Sequence, residues 1–167
     1  HAHAARRGTS SVRASLVFLQ VSMSPSNPGR NRLSHFRSVE IGASCDGVGA
    51  VFEKIRTGGR WDVFVSNVRA AKRHVEVWLS VSPQRDNLMH MAEIIDFAVA
   101  EGLRADLTNF VHWPRHLAAC NLSAIEKTNA AQYLTSLADR CVKQGLHDEA
   151  AHLGMLIDFV RSEGNAQ

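Results

Sequence analysis

An α/β fold with parallel strands, finished by a C-terminal helical hairpin, is what the order of apolar segments predicts. Two observations carry this. Between residues 39 and 111 short β-branched runs alternate with stretches of helical period, and from Ser123 onward two helical stretches follow each other directly. A strand, helix, strand, helix order argues for parallel pairing through right-handed crossovers.

Residues 1–32, rich in Ala, Arg, Ser, Pro and Gly, read as an irregular N-terminal segment. Ser24-Pro25-Ser26-Asn27-Pro28-Gly29 is a turn cluster, and Ser15 to Met23 is a candidate strand. Residues 33–121 form the α/β portion and 122–167 the C-terminal helices. The first clear strand runs over 39–45, with a short helix at 48–56. A second helix from Trp61 puts Trp61, Phe64, Val68 and Ala71 on one face. Val75 to Val81, β-branched and aromatic, reads as the next strand, closed by Ser82-Pro83. Asn87 to Gly102 is a helix with Leu88, Met91, Ile95 and Ala98 inward, and residues 105–111 are the third strand of the alternation. A loop to Asn121 precedes Ser123 and Glu126, which have capping-box spacing and open a helix through Leu134, Leu137 and Cys141 to Gly145. The last helix, 147–162, aligns Leu153, Leu156, Ile157 and Val160.

The 167 residues, 45% hydrophobic and 21% charged, suit one globular domain. The net charge of +3 is dispersed, and the Arg6, Arg7 and Arg13 cluster reads as a solvated basic tail rather than a nucleic-acid interface. Cys45, Cys120 and Cys141 are scattered and unpaired in spacing, which predicts neither a disulfide framework nor a zinc site. A reducing, cytoplasmic setting is the expectation. No run has the length of a membrane span, and Ala14 to Val21 is too short and polar-ended for a signal-peptide core.

Candidate chemistry concentrates where the first strand gives way to a helix. Ser44 and Asp46, two positions apart, share one strand face, and Gly47 follows in the turn. Carboxyl ends of parallel strands are where ligands sit, although Asp-Gly is also an ordinary turn element. Arg56 stands three residues after Glu53, the spacing of a plain helical ion pair. Its planar fork also suits a ligand carboxylate. Thr57-Gly58-Gly59-Arg60 is a turn, not a phosphate loop, and Trp61 is a core anchor. Ser80, Ser82, Gln84 and Asn87 follow the next strand on the same rim, with Asn87 also placed to cap a helix. His112, Trp113 and His116 lack an acidic companion and have Pro114 between them, a poor metal set.

Ser44-x-Asp46-Gly47, a helix with Glu53 and Arg56, and the Gly59-Arg60-Trp61-Asp62 turn together resemble radical S-adenosylmethionine enzymes of the SPASM/twitch group. The resemblance runs from about Leu33 through the third strand and more loosely to about Arg161. It implies the second half of a (β/α)6 partial TIM barrel, followed by the helical hairpin. It implies S-adenosylmethionine as cofactor, held by Ser44, Asp46, Gly47, Arg56 and Asn87, and a small-molecule or peptide substrate. In the complete family a [4Fe-4S] cluster supports reductive cleavage of that cofactor to start radical chemistry. Its Cys-x-x-x-Cys-x-x-Cys loop and Gly-Gly-Glu segment have no counterpart here, so no catalytic residue is assigned and the chain alone is expected to be inactive. A half-barrel would leave a strand edge and an apolar inner face uncovered, which predicts self-association. A non-enzymatic α/β module that binds a partner protein is the competing class. A nucleotide-binding protein using the Asp46 rim without redox chemistry is a third.

Overall fold

The computed structural model describes residues 19–25 and 36–163, with side chains from residue 40 onward. Strands β1 (Leu19–Pro25), β2 (Phe36–Ser44), β3 (Glu76–Ser80) and β4 (Ala105–Asp106) form one sheet in that spatial order. β2, β3 and β4 are parallel, whereas β1 pairs antiparallel with β2. Helices α1 (Ala50–Ile55) and α2 (Trp61–Ala71) connect β2 to β3, and α3 (Met91–Glu101) connects β3 to β4. Helices α4 (Ala124–Lys143) and α5 (His147–Arg161) make the hairpin. The α/β architecture and the C-terminal hairpin are as the sequence predicts.

Alternation along the strands divides the sheet into two faces. Ala43, Cys45, Val77, Leu79, Val81, Ala105 and Leu107 are buried in one core with Phe64, Val68, Ile94 and Ile95 of the crossover helices. Trp61 anchors this layer by packing against Phe52, Phe64 and Phe97, with ring centroids 5.5, 5.4 and 4.8 Å away. Leu134, Leu137, Cys141, Leu153, Leu156 and Val160 join the same core from the hairpin.

The opposite face carries the intervening residues in register rows: Glu40 beside Glu76, Gly42 beside Trp78, and Ser44, Ser80 and Asp106 across three strands. Gly42 is required by close approach, since a Cβ there would meet Trp78 Cζ2 at 2.7 Å. The Arg104 guanidinium lies 5.2 Å from the Trp78 ring centroid and reaches Glu40 and Glu76 at 3.5 and 3.9 Å. The expected apolar inner face is therefore, among the described side chains, largely polar, and its one large aromatic lies beneath an arginine.

Several expected boundaries move for identifiable reasons. The β1 strand overlaps the expected Ser15–Met23 segment from Leu19 and absorbs Ser24 and Pro25 of the turn cluster. The remainder of that cluster and Arg6, Arg7 and Arg13 lie outside the described residues. The third strand of the parallel set, read over 105–111, pairs only at Ala105 and Asp106. Its outer amides are taken by α5: Ala105 N–H donates to Glu149 Oε1 at 3.1 Å and Leu107 N–H to His152 Nδ1 at 3.5 Å. Thr108 then folds back, its amide and hydroxyl donating to Asp106 Oδ1 at 2.9 and 2.6 Å. β-branched residues there satisfy a turn rather than a ladder. The helix expected from Asn87 begins as a 3-10 turn, Leu88–His90, and becomes α3 at Met91.

Candidate functional site

The two parallel crossovers bring the β2–α1 and β3–α3 loops together at the carboxyl end of the sheet. Ser44 and Ser80 are register partners, and Cys45 N–H donates to Ser80 C=O at 2.9 Å, extending the ladder one step toward the rim. Asp46 follows. It is buried, with Oδ1 accepting from Ser82 N–H at 2.8 Å and Oδ2 against Arg56 Nη2 at 2.6 Å. Gly47 permits the turn: a Cβ there would sit 2.6 Å from Val51 Cγ1 and 2.8 Å from the backbone nitrogen of Phe52.

Arg56 ends α1 and points back to Asp46 instead of pairing with Glu53. The i, i+3 pair read from the sequence is replaced because Glu53 Oε1 accepts from Trp61 N–H at 2.9 Å, holding the start of α2. About a quarter of the Arg56 side chain is exposed, and its Nε is buried without a hydrogen-bond partner among the described residues. Asn87 is fully buried; it stands at the N-cap position of the 3-10 turn, but its side chain makes no cap bond there. Its Oδ1 accepts from Gln84 N–H at 2.8 Å, while Nδ2 donates to Asp46 C=O at 3.0 Å and Ser82 C=O at 3.1 Å. One amide thus ties both rim loops. Ser44, Asp46, Gly47, Arg56 and Asn87 fall on one rim as expected, and Ser82 proves as central as any of them.

The segment after β4 completes the rim from the other side. Asn109 Nδ2 donates to Ser82 Oγ at 2.9 Å, and Val111 N–H to Pro83 C=O at 3.2 Å. Phe110 stacks on Phe159 with centroids 4.9 Å apart, His112 meets the same ring edge-on at 5.0 Å, and Trp113 precedes a cis Pro114 with its indole largely exposed. Asp106 and Glu149, not singled out from the sequence, hold β4 in place. Their signal was available only as an acidic residue within an apolar strand and another within an apolar helix face.

The cysteines stand on different elements: Cys45 beyond β2, Cys120 in the 3-10 turn Ala119–Asn121 and Cys141 in α4, all buried. The Cys45 thiol donates to Gly47 C=O at 3.3 Å, and burial pushes its pKa up to about 12. They do not fit a [4Fe-4S] ligand set, which needs thiolates converging on one cluster. No group of three His, Cys, Asp or Glu side chains among the described residues is arranged to hold a metal ion. No helix among them is long and apolar enough to cross a membrane. Two surface grooves, one on α4 flanked by Lys127 and Arg161 and one along α2, include none of the rim residues. The chain matches no protein-family model, no curated protein and no solved structure.

Proposed function

We propose that the chain is the second half of a (β/α)6 partial barrel of the radical S-adenosylmethionine type, and that its carboxyl rim takes part of that cofactor. The observation that carries the reading is the convergence of Asp46, Arg56 and Asn87 at the ends of two adjacent parallel strands. In this reading Arg56 meets the cofactor's carboxylate, for which its fork is suited. Its Nε is buried without a partner among the described residues. Asp46 is a positioning residue, because Ser82 and Arg56 already occupy its two oxygens. Asn87 holds the loops that carry both. When bound, the cofactor supplies the sulfonium whose reductive cleavage begins radical chemistry on a small molecule or peptide. The cysteines do not fit the cluster that delivers the electron, so no step is assigned to this chain alone.

A second reading, a non-enzymatic binding module, is favoured by one feature: every polar atom of the Asp46 carboxylate and the Asn87 amide has an internal partner. Calorimetric titration with S-adenosylmethionine separates the two. Weak but saturable binding, reduced about tenfold in Arg56→Lys, which keeps the charge and loses the fork, supports the cofactor reading. No binding, or equal binding in parent and variant, favours the module.

A further inference from the structure

We draw no further inference here: the strongest candidate, the groove on α4 flanked by Lys127 and Arg161, carries nothing, because the Lys127 ammonium already donates to Ser162 C=O and nothing in the structure shows what covers the rest.

Discussion

Asp46 and Arg56 form a 2.6 Å ion pair in which the carboxylate is almost wholly buried and the guanidinium retains a path to water. The asymmetry predicts unequal mutational costs. Arg56→Gln strands a buried carboxylate with Ser82 N–H as its remaining charge-compensating contact and should cost about 2–3 kcal/mol. Asp46→Asn keeps an oxygen for Ser82 and lets the arginine turn outward, at about 1 kcal/mol. Urea denaturation of both variants and the double variant checks this. Equal costs, or a double variant that equals the sum, would remove the pair from its structural role.

Asn87 is the second lock. Asn87→Ala leaves Gln84 N–H and the carbonyls of Asp46 and Ser82 without their partner in a buried site, and should destabilise by about 2–4 kcal/mol. Asn87→Asp should cost more, because a second oxygen would then face two carbonyl oxygens. A melting curve in which the aspartate variant matches the parent would contradict this geometry.

Much of this arrangement was legible in the sequence and some was not. Period and β-branching located the helices and the two longer strands of the parallel set because those elements bury one face, and the Ser123–Glu126 spacing identified a capping box that the structure makes with bonds of 2.8 and 3.3 Å. The Ser44 to Asp46 alternation placed both residues at one strand end for the same reason. Arg56 was drawn to Glu53 by local spacing, whereas Asp46, ten positions away, became its partner only when the chain turned at Gly47. Residues 107–111 have strand composition but no ladder partner, since Glu149 and His152 of α5 occupy that edge. Long-range satisfaction of backbone donors leaves no periodic trace.

The capping box also predicts a pH response. The Ser123 hydroxyl and amide, with Arg85 beside them, lower the Glu126 pKa from 4.5 to about 2. A carboxylate with a depressed folded-state value contributes stability that is present above its unfolded pKa. That contribution should be lost as pH falls from about 5 toward 2. Melting temperatures of the parent and Glu126→Gln should therefore differ at pH 7 and converge near pH 2. A constant difference across that range would contradict the assignment.

The buried thiols make a chemical prediction. Cys45, pushed up to about 12 and enclosed in the core, should resist thiol reagents at pH 8 until the chain unfolds. Anaerobic iron and sulfide reconstitution should leave no stoichiometric cluster absorbance, because the three cysteines do not converge. One cluster per chain would reopen catalysis by this chain and overturn the placement of its cysteines.

The rim is the proposed ligand site, and an amide-resolved NMR titration of the 167-residue chain with S-adenosylmethionine tests that most directly. The expected result is saturable shifts at Asp46 to Gly49, Arg56 and Ser82 to Asn87, with the core amides of α4 and α5 unchanged. A folded chain whose rim amides stay still at millimolar cofactor, or whose shifts fall elsewhere, would contradict it and leave Asp46, Arg56 and Asn87 as the lock between two loops.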